Sequence, residues 1–480
     1  MNNVSQNSQI IGDSKSWDGF NKKYSKFLPA VIVTLSLLMA LASSYFLVNV
    51  SPLIAIGILF ALPLVIFTFV KPDFGMLLVI FVLPLEELNI KGGFSAIKMI
   101  SVLVFGCAIL NYLIFPRETR LVKSSQNILI FVFLLISLIS VFVAFSPERT
   151  LDRIPKLLRV LSLYFFAINF IKSEKYFRSA LWMFVIGGFV CTLYGFFDPA
   201  QTIGRFEGAI GQPNGYALTM TPRIPIALAL IIIDKNLLKR IFLAFVILTI
   251  SYGVILSASR GGLLSVSFAL IVFAALQKNR KTWLGVIGVI FALGILIMPL
   301  DIKVRVGLSD AYTSTDLGNS TDRRLTYQIY GLELFQKYPV LGVGLDGFAE
   351  AYAQSEYRFL VRTQNLRVAH NTYLEIATGT GVVGFLPFMG ILGFAMYLAW
   401  KYSRKKYWYI NAELAILSSG LLAALSGYYL GMLFGSRQYE KTLWFLFALP
   451  IVVETIINAQ VKAKSNQELL KEQISTTEFV

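Results

Sequence analysis

Long uncharged apolar runs separated by short polar loops set the pattern of this chain. Residues 27–70 contain no Asp, Glu, Lys or Arg. That length accommodates two membrane helices of about 20 residues each, with Asn49-Val50-Ser51-Pro52 as the turn between them. Similar runs predict spans near 28–48, 52–70, 75–87, 96–115, 127–145, 159–172, 180–197, 216–233, 241–257, 262–276, 283–300, 378–400, 413–434 and 442–459. Backbone in lipid must satisfy its own hydrogen bonds, so the spans are helices. The predicted fold is therefore all-α: a polytopic transmembrane helical bundle of about 14 spans with one large helical external loop.

The polar loops orient the bundle. Arg117/Arg120/Lys123, Lys172/Lys175/Arg178, Lys235/Lys239/Arg240, Lys278/Arg280/Lys281 and Lys401/Arg404/Lys405/Lys406 fall on one side, as do the Lys-bearing termini. The positive-inside rule makes that side the cytoplasm. The chain divides into a polar cytoplasmic N-terminus (1–26), helices 1–11 (27–300), the external loop (301–377), helices 12–14 (378–459) and a cytoplasmic tail (460–480). Arg149, Arg153, Lys156 and Arg159 break the alternation; snorkelling or an anionic lipid head would account for them.

Composition agrees with the pattern. The chain is 56% hydrophobic and 15% charged, with mean hydropathy +0.68, whereas soluble domains carry about 25% charged residues. The net charge of +16 follows membrane orientation and does not point to nucleic acid. Cys107 and Cys191 lie inside apolar runs and read as small core residues. They leave neither a disulfide framework nor a Cys/His metal site.

The candidate chemistry gathers on the outward side. Gly204-Arg205-Phe206-Glu207-Gly208 and Gly211-Gln212-Pro213-Asn214-Gly215 read as loop, where Arg205 binds phosphate or pairs with Glu207. Ser257-Ala258-Ser259-Arg260-Gly261-Gly262 puts a cation just inside the membrane surface, a costly position that marks a functional candidate; its glycines would admit a ligand or a backbone. Asp322-Arg323-Arg324-Leu325 opens an amphipathic helix with Leu325, Ile329, Leu332 and Phe335 at helical spacing. Pro339 ends it and Gly342-Val343-Gly344 turns the chain. Cations in a first helical turn oppose the dipole. The only histidine in the chain, His370, stands before Asn371-Thr372-Tyr373-Leu374-Glu375, where Thr372 and Glu375 have capping-box spacing. A helix N-terminus and nearby arginines would keep this imidazole neutral and available as a base.

These motifs together resemble the O-antigen ligase and O-antigen polymerase superfamily of membrane glycosyltransferases. The resemblance rests on Ser259-Arg260-Gly261-Gly262, Arg324, Pro339-Val340-Leu341-Gly342-Val343-Gly344-Leu345-Asp346-Gly347-Phe348, His370-Asn371-Thr372-Tyr373-Leu374-Glu375 and Gly381-Val382-Val383-Gly384. It implies a glycan transferase of the bacterial inner membrane, with its active site on the periplasmic face and no cofactor or metal. The donor would be a glycan on undecaprenyl diphosphate; the acceptor, a glycan, a lipid A core or another hydroxyl. The resemblance makes Arg205, Arg260 and Arg324 diphosphate ligands and His370 the general base, supported by Arg323, Asn214, Asn371 and Glu375. Ligase, polymerase and protein O-oligosaccharyltransferase all fit. So does a small-solute transporter, although the spans carry few charges near the midplane where transporters place them.

Overall fold

Apolar runs that must pair their own backbone groups become helices, and every regular element among the described residues is helical. The computed structural model describes residues 71–85, 121–198, 204–285, 315–361 and 366–477, with isolated helical positions between 33 and 113 and at 288. The spans expected at 28–48, 52–70, 96–115 and 283–300 fall on residues outside this set apart from those isolated positions and residues 283–285. The side chain of Arg323 is outside it too. The chain forms two compact units, residues 1–75 with 100–118, and residues 76–99 with 119–480. All of the candidate site belongs to the second.

In chain order the helices are α1 (Pro72–Val82), α2 (Ser125–Ile139), α3 (Pro147–Phe170), α4 (Glu174–Phe197), α5 (Pro213–Met220), α6 (Arg223–Ile233) and α7 (Leu237–Leu256). There follow α8 (Arg260–Leu276), α9 (Thr315–Lys337), α10 (Phe348–Gln354), α11 (Tyr357–Val361), α12 (Thr372–Ser403), α13 (Lys405–Gly431) and α14 (Lys441–Thr477). Among the described residues seven segments are long and apolar enough to cross a membrane: Ser125–Val143, Glu174–Phe197, Pro213–Ile233, Leu237–Leu256, Thr372–Ser403, Lys405–Phe434 and Lys441–Asn466. Asp73–Leu85 and Arg260–Leu276 are shorter apolar helices. These nine coincide with expected spans. The span expected at 159–172 does not stand alone. It is the second half of α3, whose first half carries Arg149, Asp152, Arg153 and Lys156. Cys107 and Cys191 are buried and free, as expected of core cysteines.

At the basic end of the helices, polar side chains tie neighbours together. Arg178 pairs with Glu413, Lys401 with Glu454, and Asn411 reaches Glu174 and Gln460. At the opposite end, α9, α10 and the chain before α12 share one apolar core. Tyr327, Leu334, Val343, Phe348, Ala351, Tyr352, Ala369 and Leu374 form it, with Tyr330, Tyr338 and Tyr357 packed around.

The break in α12 joins that cap to the bundle. Gly381 leaves the helix at φ 61°, ψ −169°. The carbonyl freed at Thr378 accepts the Val343 amide (2.9 Å), while the Val382 and Val383 amides donate to Pro339 (2.7 Å) and Val340 (3.3 Å). Unpaired backbone groups in a buried helix are costly, and the 339–345 turn satisfies them. Gly342 is required there: its φ is +70°, and a Cβ would lie 2.3 Å from the Thr378 carbonyl oxygen.

Candidate functional site

Three residues other than glycine hold positive φ among the described residues: Ala258, Asp346 and His370. Each sits in one of the motifs singled out from sequence. Left-handed backbone at a side-chain-bearing residue costs roughly 1–2 kcal/mol and gathers at functional sites. At His370 (φ 52°) the surroundings hold it. Asn371 caps α12, its Oδ1 accepting the Tyr373 and Leu374 amides at 3.0 and 3.3 Å, and its Nδ2 donates to Gln328 at 2.9 Å. Gln328 in turn donates to the Ala369 carbonyl. Buried Glu375 reaches back to the Ala369 amide at 2.6 Å and accepts the Ser436 hydroxyl at 3.2 Å.

The capping residue is thus Asn371, and the expected Thr372–Glu375 capping box is corrected. Thr372 instead donates to the Gly435 carbonyl (2.6 Å) and accepts the Arg437 amide (2.9 Å). Asn reaches its own helix's second and third amides more readily than Thr, which frees Thr372 for a tertiary bond.

Arg324 approaches His370 from another helix, and Arg260 in turn lies close enough to act on Arg324. Arg324 is on α9, but not in its first turn: the helix starts at Thr315, so the dipole argument for strain does not hold. The apolar repeat that marks α9 begins only at Leu325, which is why its start reads late. Its stripe also faces outward: Leu325, Ile329 and Leu332 are exposed, while Tyr327 and Leu334 face the core. Burial first, then the charge of Arg260, lowers the pKa of Arg324; a guanidinium so perturbed still remains cationic at neutral pH. Arg260 begins α8 behind its N-cap Ser259 and is exposed. Gly261 and Gly262 admit neighbouring protein side chains: added Cβ atoms would meet Phe434 at 2.8 Å and Ala217 at 2.3 Å.

The stretch Gly211–Gly215, expected as loop, is helical from Pro213, and this start of α5 with its N-cap Gln212 links further arginines. Arg205 donates Nε to the Ser257 carbonyl (2.8 Å) and Nη2 to Asn214 Oδ1 (3.2 Å). Gln212 Oε1 accepts from Arg437 Nη2 at 3.2 Å, and Arg437 Nη1 donates to Glu440 at 2.8 Å. Arg437, between α13 and α14, is a site residue that sequence reasoning missed. Burial, then the charges of Arg324, Arg437 and Arg367, push His370 down to about 4. The imidazole is therefore neutral near pH 7 and surrounded by cations, an arrangement suited to a multiply charged anion and a proton acceptor.

Two other arginine groups need a different account from the one the sequence invited. Arg149 and Arg153, expected as interfacial cations, have a protein partner. They pair with buried Asp346 at 3.4 and 2.6 Å, tying α3 to the 339–347 turn. Arg223 lies within the Pro213–Ile233 segment, so that span is not free of charge. It is fully buried, donates to the Phe184 and Thr219 carbonyls, and covers the Phe184 ring at 4.0 Å. A carbonyl of α4 and one from the last turn of α5 solvate it. Among the described residues no group of three or more His, Cys, Asp or Glu could hold a metal ion.

Residues 243–389 match the family described as O-antigen ligase. The matched stretch contains Arg260, Arg324, His370, Asn371 and Glu375, and leaves Arg205, Asn214 and Arg437 outside. No curated protein matches the chain.

Proposed function

We propose that this multi-pass membrane protein, a member of the O-antigen ligase superfamily through residues 243–389, transfers a glycan from undecaprenyl diphosphate to an acceptor hydroxyl during surface polysaccharide assembly. The observation that carries the reading is one neutral imidazole among cations drawn from separate segments of the chain. Arg205, Arg260 and Arg324 take the diphosphate. His370 accepts the hydroxyl proton as the acceptor oxygen attacks the anomeric carbon. The bond from that carbon to the phosphate oxygen breaks, and the lipid diphosphate leaves with its negative charge held by the arginines. Asn371 and Glu375 hold His370 in place, and Asn214 orients Arg205.

A diphosphate does more than dock. By themselves the arginines disfavour imidazolium. A bound anion offsets their charge and raises the basicity of His370, so the base strengthens when the donor is in place. Loops bearing the site and loops bearing the Lys/Arg clusters alternate along the helices, which supports an outward-facing site in the bacterial inner membrane under the positive-inside rule.

The test is reconstitution. Purified protein in liposomes receives an undecaprenyl-diphosphate glycan with or without a lipid A core acceptor. A ladder from donor alone identifies a polymerase; one acceptor-dependent product identifies a ligase. No product across several donors, with His370→Ala indistinguishable from wild type, would reject the transferase reading.

A further inference from the structure

The turn between α13 and α14 carries a guanidinium with an unusual set of attachments. Arg437 is 8% exposed. Its backbone amide bonds Thr372 Oγ1 at 2.9 Å, two residues after His370, and the Thr372 hydroxyl returns a bond to Gly435 at 2.6 Å. Its Nη2 reaches Gln212 and its Nη1 reaches Glu440. Its Nε is buried without a hydrogen-bond partner. Glycines leave room for it on two sides: a Cβ at Gly215 would stand 3.2 Å from Nη1, and one at Gly435 would stand 3.1 Å from Nε. The same turn supplies Ser436 to Glu375, the carboxylate that holds the Ala369 amide.

We propose that Arg437 is a positioning residue for His370, locking the start of α12 to the start of α5 and holding a fixed positive charge against the imidazole. The role rests on the reading of His370 as the base. The start of α5, through its N-cap Gln212 and Asn214, orients two arginines at once, Arg437 and Arg205. Charge and geometry are separable here. The backbone bonds to Thr372 survive any side-chain change, whereas the charge does not survive Arg437→Gln. The charged and titratable groups facing His370 are Arg324 and the Tyr327 ring from α9, Arg367 from its own segment, and Arg437 from this turn. Glu375 approaches through the Ala369 amide.

Because His370 is the only histidine in the chain, its protonation can be followed without knowing the substrate. The full-length protein, purified without a histidine tag and placed in lipid nanodiscs, is labelled with ¹³C-histidine. The single imidazole resonance is then titrated from neutral to acid pH. Arg437→Gln is expected to raise the proton affinity of His370 by about threefold or more, a shift of about half a pKa unit. Arg437→Lys keeps the charge and is expected to titrate as wild type. An Arg437→Gln curve superimposable on wild type would overturn the proposal, as would an equal shift in Arg437→Lys. If Arg437→Gln does not fold, Gln212→Ala, which removes one anchor and no charge, must broaden or displace the resonance; an unchanged spectrum overturns the positioning role. These readouts need no turnover, so they can fail while the transferase reading stands, and the reverse.

Discussion

Replacing His370 by Asn separates chemistry from scaffolding. His370 sits at φ 52°, a backbone state that Asn tolerates better than most residues. Its neighbours do not depend on the imidazole: Asn371 caps α12, and Glu375 holds the Ala369 amide. His370→Asn should therefore leave membrane abundance and thermal midpoint near wild type. It removes the one ring nitrogen able to accept a proton. Loss of a general base costs about 10²–10⁴-fold in rate, equal to about 3–5 kcal/mol of transition-state stabilisation. His370→Ala should lose the same activity and additionally about 1 kcal/mol of stability, since it vacates the space beside Tyr327. The assay is transfer from an undecaprenyl-diphosphate glycan in proteoliposomes at matched protein amounts. Activity of His370→Asn within threefold of wild type would refute the base assignment.

Other outcomes follow from the same geometry. Burial and the protein's own arginines hold His370 at about 4, so kcat/KM should stay flat from neutral pH down to about pH 5. Donor binding offsets the arginine charge, so the acid limb of kcat should lie at higher pH than that of kcat/KM; coincident limbs would contradict the anion's role. The same depressed value sets a stability trend. Between the ordinary 6.5 and about 4 the unfolded chain binds more proton, so stability falls as pH drops through that window, by about 3 kcal/mol at most; thermal melts at pH 7 and pH 4.5 check it. Arg153→Ala leaves buried Asp346 with only the longer Arg149 contact and should cost about 2 kcal/mol, with Asp346→Asn in the same chain restoring part of it. Gly381→Ala places a Cβ 2.0 Å from the Val340 carbonyl oxygen at φ +61°. It should release the 339–345 turn, seen as faster proteolysis between α9 and α12.

The sequence by itself determined the helical class and the positions of nine apolar helices among the described residues. Membrane insertion depends on runs of apolar residues, and such runs are visible one residue at a time. It also singled out His370, Arg260 and Arg324, because a cation or an imidazole at a membrane boundary stands out against its neighbours, and it pointed to the family whose model residues 243–389 match. The tertiary structure decided what those local patterns could not carry. Arg437 lies in an ordinary polar turn, and only the bonds through Thr372 and Gln212 bring it to His370. Arg149 and Arg153 looked like stray interfacial cations until Asp346, almost 200 positions later, appeared as their partner. Arg223 lay hidden inside an apolar run, solvated by two carbonyls. Asn371 displaced Thr372 as the helix cap once Thr372 was drawn to the Gly435 turn. Each of these depends on a partner remote along the chain, and hydropathy and spacing do not register which distant segments fold against one another.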